Sequence, residues 1–509
     1  MTLTRRDFLV RSAVAASLAA VPRRPAWAAT DSADVIVVGA GLSGLNAALT
    51  LEDAGMSVLV LEGRDRVGGK ILTFGSVPGL PEAGGQSIGS GYGRVVDAAQ
   101  RSGITLDDQL PQALRHPDIA LVLDGQPIPK AAWKDSPRNP FPAPLRELMP
   151  WQYTPMAMAR ANPLKSVEDW FAPQNAAADV SMHQFLRAQG ATEAMIDLAY
   201  DTNTSYGTSS HDVSALMMAF VEAFTRAQRN LKPAVYKARG GNQRIPEGMA
   251  QRLKGGVRLS QTVTAIESGA NGVTVHTRDG GRYAAKAAIC ALPFSTLRHV
   301  RLEPALTGAQ GQAVKTLPHQ MITQIALEAR KPFWETDGLP PAMWTDSPIG
   351  RVFAIHRSAS DDEVASLLVT AYGHKAAYLD RLGRDAAGRF VIAEIERMRP
   401  AAKGRLRVAA QHSWALDPYA AGDWAYFAPG TVTQFMPAMF QPHGRVHFCG
   451  EQTSVGARGL EGFFPVREDF EVLAGVMHGP MGAQADPAVS RAGRMEQVGP
   501  FAQLGVACL

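Results

Sequence analysis

The chain has 509 residues, 46% of them hydrophobic and 19% charged, with a formal net charge of +4. A chain of this length and apolar content buries a sizeable core in two or three packed domains, which excludes a disordered or fibrous protein. Five arginines against Asp7 in the first 28 residues account for the whole net charge, so the remainder is about neutral and no nucleic-acid partner is expected.

Those first 28 residues read as an export signal. Thr4-Arg5-Arg6-Asp7-Phe8-Leu9 is a twin-arginine signature, followed by an apolar run to Val21 and a small-x-small site at Ala26-Trp27-Ala28. Arg11 interrupts the run, which falls short of the ~20 apolar residues of a membrane span. The expectation is export through the twin-arginine (Tat) route to the periplasm or beyond, with no stable membrane span. That route suits a protein folded around a cofactor before export. Cys290, Cys449 and Cys508 are widely spaced and give no disulfide framework and no metal set.

Asp34 to Val38 is a β-branched run of the kind that forms a buried parallel strand. Gly39, Gly41 and Gly44 then form G-x-G-x-x-G around Leu42 and Ser43, where the chain must turn into a helix. The glycines serve a tight turn, close backbone approach to a pyrophosphate, and close helix–strand packing. Leu42 to Ala54 reads as the helix, Gly55 as its stop and Ser57 to Leu61 as the second strand. Glu62 closes that strand at the distance where an acid accepts hydrogen bonds from an adenosine ribose. A bound dinucleotide follows.

Arg64-Asp65-Arg66-Val67-Gly68-Gly69-Lys70 adds charge and two further glycines beyond the second strand. This resembles the flavin amine oxidase family (monoamine oxidases, polyamine oxidases and L-amino-acid oxidases), with Lys70 where the family usually has Arg. The resemblance implies FAD and an α/β fold: a Rossmann-like FAD-binding domain of the two-dinucleotide-binding type with an interleaved α+β substrate domain. On this division residues 30–110, 229–306 and 431–478 hold FAD, 111–228 and 307–430 form the substrate domain, and 479–509 are an irregular tail.

Further segments match in order. Gly84 and Gly85 resemble the family's glycine pair along the flavin, with Gln86 and Ser87 departing from its pattern. The Pro-rich stretch after Pro111 reads as strands and loops, with Ile119 to Leu123 one strand. Helices are expected near 182–189, 193–200 and 213–228. Asp201 to Gly207 is a polar break able to reach a pocket or merely to cap helices. Val257 to Thr277 and Arg282 to Leu292 read as strands, and Val263 matches the residue whose backbone contacts adenine. Met321 to Ala329 alternates toward Lys331-Pro332-Phe333-Trp334, a family landmark.

Counting back ten residues from Trp334 reaches Gln324, where monoamine and polyamine oxidases carry a Lys that holds a water at the flavin N5. An amide can hold water but brings no charge. In the run Pro418 to Gly430, Asp423 and Trp424 stand where monoamine oxidases place their flavin-linking Cys and one wall of an aromatic cage. The FAD is therefore expected to be non-covalent, with Trp424 as the wall. The opposite wall, a Tyr in the family, falls at Gly459, which leaves the cage one-sided. Gly450-Glu451, then Leu460-Glu461-Gly462, resemble the closing flavin-contacting turn.

The resemblance implies oxidation of an amine C–N bond by hydride transfer to flavin N5, giving an imine that water hydrolyses. The expected partners are a small-molecule amine and either oxygen or a periplasmic electron acceptor. An L-amino-acid oxidase is the alternative; it needs an Arg for the α-carboxylate, and Arg94 is close to the second glycine pair but outside the usual place. After Gly462 the family's Ser-Gly motif is replaced by Phe463-Phe464-Pro465-Val466-Arg467. A shifted reading frame from about Phe464 would produce such a break, and would leave a catalytically impaired FAD-binding protein.

Overall fold

The computed structural model describes residues 32–457 and 459–462. The twin-arginine segment and the expected break near Phe464 lie outside the described residues. No described helix is long and apolar enough to cross a membrane.

Ser32–Val38 is the centre of an eight-stranded sheet. It runs parallel to Val58–Leu61 on one side and to Arg282–Cys290 on the other, so Val37 lies between Val60 and Ile289. Val35 to Val38 are buried on both faces, as a β-branched run in a parallel sheet requires. Val446–Phe448 adds to Arg282–Cys290 in parallel, which brings the Gly450 turn beside the Gly39 turn. The segment Val257 to Thr277 is three strands rather than one: Val257–Arg258, Val263–Gly269 and Gly272–Thr277.

A seven-stranded sheet is built from Ala120–Leu123, Gln126–Ile128, Met343–Thr345, Arg351–Ser358, Asp361–Tyr372, Ile322–Ala329 and Leu406–Ser413. The helices Gly373–Leu382 and Arg384–Met398 cover one face, where Leu379, Val391 and Ile395 pack on Ile325, Leu327 and Val369. The alternation expected from Met321 to Ala329 is not what the fold shows: Ile322 to Leu327 are all buried. Both faces are covered, since Ala326 packs on Phe74, Val77 and Ala83 opposite the helices.

A second helical layer holds Pro150–Ala161, Met182–Ala188, Glu193–Ala199 and Ala215–Ala227. Its first helix was hidden by proline content that reads as loop. Pro150 opens that helix, where the missing N–H is harmless, and Pro155 inside it forfeits one ladder hydrogen bond.

Candidate active site

The turn after Ser32–Val38 is an anion cradle made of backbone. Gly39 holds φ +102°, in the left-handed region, and a Cβ on Gly44 would stand 1.9 Å from the Gly39 carbonyl oxygen. Only glycine lets the helix Leu42–Asp53 start against its strand. Gly41 and Gly69 face each other, a Cβ on Gly69 falling 3.2 Å from the Gly41 Cα. Glu62 is buried, its carboxylate accepting from the Ala40 N–H at 2.8 Å and the Arg64 N–H at 2.9 Å. The acid is thus aimed at the turn and held there by charge-assisted hydrogen bonds.

These groups border a cavity of about 230 Å³ lined by Gly39, Gly41, Leu42, Ser43, Glu62 and Arg64, together with Gly69, Lys70, Val263 and Gly450. Gly44 sets the packing beneath and does not line it. The Arg64 guanidinium bonds Asp417 at 2.8 Å and lies 5.3 Å over the Tyr419 ring, so it ties the cradle to the 417–419 turn.

The second glycine loop is stitched by side chains. Arg66 donates to the carbonyls of Gly69 and Ile71 at 3.0 Å each. Asn242 donates to the Gly85 carbonyl at 2.6 Å, and the Asn242 N–H donates to the buried Glu82 at 2.8 Å. Burial pushes the Glu82 carboxyl up to about 7, against the pull of Lys237 and the hydrogen bonds from Thr73 and Asn242.

Beyond Lys70 and Ile71, which border both spaces, a second cavity of about 290 Å³ opens. Gly85, Gln86, Ser87, Glu451 and Leu460 line it, together with Gln324, Tyr372 and Trp424. Trp424 donates its indole N–H to the Ser205 carbonyl at 3.1 Å, and its ring centre lies 5.6 Å from Tyr206 and 6.4 Å from Tyr372. The polar break near Tyr206 therefore reaches the cavity. Next to Gly459 the Tyr92 hydroxyl stands 2.7 Å from where a Cβ would be, and Tyr92 lines the same space as Trp424.

Gln324 is buried, and its amide orientation is set by its neighbours. The nitrogen donates to the carbonyls of Ala83 at 2.6 Å and Glu82 at 3.3 Å, and the oxygen accepts from Gln86 Nε2 at 3.0 Å. Both amide protons are spent on protein. Gln324 thus braces the Gly84–Gln86 loop rather than keeping a proton for a water.

Asp423 stands at the junction, the Lys70 Nζ donating to its carbonyl at 2.6 Å. Burial lifts its carboxyl to about 7, with Lys70 opposing and Glu451 adding to the shift. The Arg94 guanidinium bonds Glu461 at 2.9 Å, and Arg94 borders neither cavity. It is a helix-end contact whose charge is already paired with Glu461. Sequence reasoning missed Tyr372, Tyr92 and Asn242; strand register and the Gly459 gap, read together, were the available signals.

An elongated dinucleotide fits this arrangement. The first cavity has the glycine cradle and the acid, and the second has aromatic walls and adjoins the first at Lys70 and Ile71. No cysteine lines either space, which is consistent with a non-covalent cofactor. Among the described residues no His, Cys, Asp and Glu group could hold a metal ion.

The family model described as flavin-containing amine oxidoreductase matches residues 42–462. A flavin-containing amine oxidase of Danio rerio is 27% identical, covering 89% of this chain and 88% of that protein. Amine oxidase B of Sus scrofa is also 27% identical, covering 85% and 84%. Cyclohexylamine oxidase from Brevibacterium oxydans aligns with a TM-score of 0.70 at 22% identity, over 88% of this chain and 100% of that one. Putrescine oxidase bound to putrescine aligns at 0.65 and 23% identity, over 88% and 99%; at these identities the likeness is one of fold. With most of its length matched, this chain belongs to the flavin-containing amine oxidoreductase family, as an FAD-dependent oxidoreductase acting on amines.

Proposed function

We propose that the substrate amine lies against Trp424 in the second cavity and that its C–N bond is oxidised there to an imine, which water hydrolyses to a carbonyl compound and ammonia or a smaller amine. The observation that carries this reading is that the glycine cradle adjoins an aromatic-walled cavity, with Lys70 and Ile71 bordering both. Gly39, Gly41, Glu62 and Gly450 would hold the dinucleotide, and Gly85, Gln86 and Glu451 the ring end. When bound, FAD supplies the hydride acceptor for the carbon beside a neutral amine.

The chain's own residues do the rest. Trp424, Tyr206 and Tyr372 orient the amine and exclude water. Gln324 and Asn242 fix the loop against which the ring end would rest. We further propose export by the Tat route and, because position 324 carries no charge, slow reoxidation by oxygen relative to another periplasmic acceptor.

A panel of amines and α-amino acids added without oxygen, with loss of oxidised flavin colour as the readout, tests the reading. Bleaching by amines supports it. Bleaching by α-amino acids alone would instead make the protein an L-amino-acid oxidase.

A further inference from the structure

The substrate-side sheet carries a transverse row of residues. Trp344 is paired with Arg351, Arg351 with Thr370, and Thr370 with Gln324. Residues directly opposite on neighbouring strands share a face, so all four lie on the face that Gln324 and Tyr372 present to the second cavity; of the four, Gln324 lines that cavity and the other three continue the row away from it. Three of the four carry an enclosed polar atom without a hydrogen-bond partner: Trp344 Nε1, Arg351 Nε and Thr370 Oγ1. An indole and a guanidinium only donate, and a hydroxyl can donate. The row is thus a set of donors in need of an acceptor.

Arg351 also lacks a counter-ion. Among the described residues no carboxylate pairs with it, and its Cζ lies 5.9 Å over the Tyr372 ring. Burial lowers its pKa, with only Tyr372 pulling the other way. Nearby, Lys375 donates to the Asp346 carbonyl at 3.2 Å; burial brings it down to about 8, with Asp346 opposing the shift and Arg351 adding to it. An enclosed donor left without an acceptor is costly, and the enclosed Trp344 Nε1, Arg351 Nε and Thr370 Oγ1 have none among the described residues. A ligand that carries an anion supplies one.

Position follows from the rings. Tyr372 stands between Trp424, 6.4 Å away, and the Arg351 Cζ, 5.9 Å away. The Arg351 backbone is two strands from Gln324, roughly 10 Å. An α-carboxylate, one bond from the reacting carbon, cannot occupy both ends. A carboxylate at the far end of the substrate can.

We propose that Arg351, with Trp344 and Thr370, forms the anion-binding end of the substrate site, and that the preferred substrate is an amine carrying a carboxylate at its far end. This rests on the amine-oxidising reading for the reacting end only; the anion end is independent of it.

The test compares an n-alkylamine with the ω-amino acid of the same chain length, over several lengths, in the FAD-loaded protein and in Arg351→Met. The wild type favours the ω-amino acid by about 10- to 100-fold in kcat/KM, the scale of a charged hydrogen bond. Arg351→Met loses that preference through KM, with kcat for the alkylamine unchanged. A second readout needs no turnover: an n-alkanoate raises Tm and perturbs the flavin spectrum in the wild type but not in the variant. Arg351→Met without ligand melts no lower than the wild type, because the change removes an enclosed donor that has no acceptor among the described residues. Equal preference in both proteins, equal alkanoate binding, or a variant that merely melts several degrees lower overturns the proposal. Arg351-dependent alkanoate binding with no amine oxidised would sustain the anion site and overturn the proposed reaction instead.

Discussion

The two cavities meet at Lys70 and Ile71 but are made of different material. The first is built around the glycine backbone and the acid of a single strand–turn–helix–strand unit, with the return strands and the Pro418–Tyr419 turn closing it. The second is bounded by side chains from at least five separated stretches, around Gln86, Tyr206, Gln324, Tyr372 and Trp424. Backbone cradles tolerate almost no substitution, because the glycine is itself the space. Side-chain walls can be changed one residue at a time, which is how one scaffold can serve different substrates. Substitutions in the first cavity should therefore remove the cofactor, and substitutions of the aromatic wall of the second, Trp424, Tyr206 and Tyr372, should alter substrate handling in a protein that stays yellow.

Gly44→Ala is the severest challenge to this division. The new methyl would fall 1.9 Å from a backbone oxygen, so the helix must lift from its strand, an overpacking penalty of about 1–3 kcal/mol. The protein is expected to purify colourless with a clearly lowered Tm; a normally loaded variant would show that the close packing is dispensable.

Glu62→Ala should come next. It removes the charged acceptor from the Ala40 and Arg64 N–H groups and from the ribose, weakening FAD by about 10- to 100-fold in a fluorescence titration. At saturating FAD the amine KM should not move.

Trp424→Ala should do the reverse, raising the amine KM roughly tenfold through the lost aromatic wall with FAD affinity intact. Trp424→Phe keeps a ring and loses only the bond to Ser205, so its effect should be smaller. If Trp424→Ala instead releases FAD, the two cavities are one structural unit.

Gln324→Lys tests the acceptor. A cation beside the reduced ring should speed reoxidation by oxygen in stopped-flow mixing while leaving reduction by amine nearly unchanged. Fast peroxide production by the unmodified protein would remove the reason for expecting another acceptor.

The smallest expected effect is in the pH dependence of stability. Burial raises Glu82 from 4.5 to about 7, so its protonated form is favoured by folding. That contribution is fully present below pH 4.5 and is lost as pH rises through about 7; Asp423, raised from 3.8 to about 7, acts with the same sign. Tm should decline across this window, and less steeply in Glu82→Gln. A flat profile in the wild type would mean that Lys237 holds Glu82 ionised throughout.

The same contrast explains what the sequence made legible. The cradle was readable because its logic is local: Gly39, Gly41, Gly44 and Glu62 are fixed by spacing within one βαβ unit. Gln324 and Trp424 could be located by counting from landmarks, but not their surroundings. The partners of Gln324 come from Gln86 and the Ala83 carbonyl, more than two hundred positions away, so the water-holding role expected of a free amide had no means of being tested in one dimension. Tyr92 standing beside Gly459 is equally non-local. The buried strand Ile322 to Leu327 reads as half-exposed because the loop that covers its second face, around Phe74 to Ala83, carries no sign in the sequence of where it will lie. The proline-rich helix Pro150–Ala161 escaped because local propensity argued against it and tertiary packing overrode that.

The central claim is that an amine in the second cavity delivers its electrons to a dinucleotide anchored in the first, whose ring end would rest on the Gly85–Gln86 loop of the second. One anaerobic experiment tests it most directly: the FAD-loaded protein is mixed with one equivalent of an amine, and flavin absorbance and released ammonia or smaller amine are followed together. The account predicts complete loss of the oxidised flavin band with one equivalent of released product for each flavin reduced. A protein that holds FAD but keeps its colour with every amine tried would contradict it.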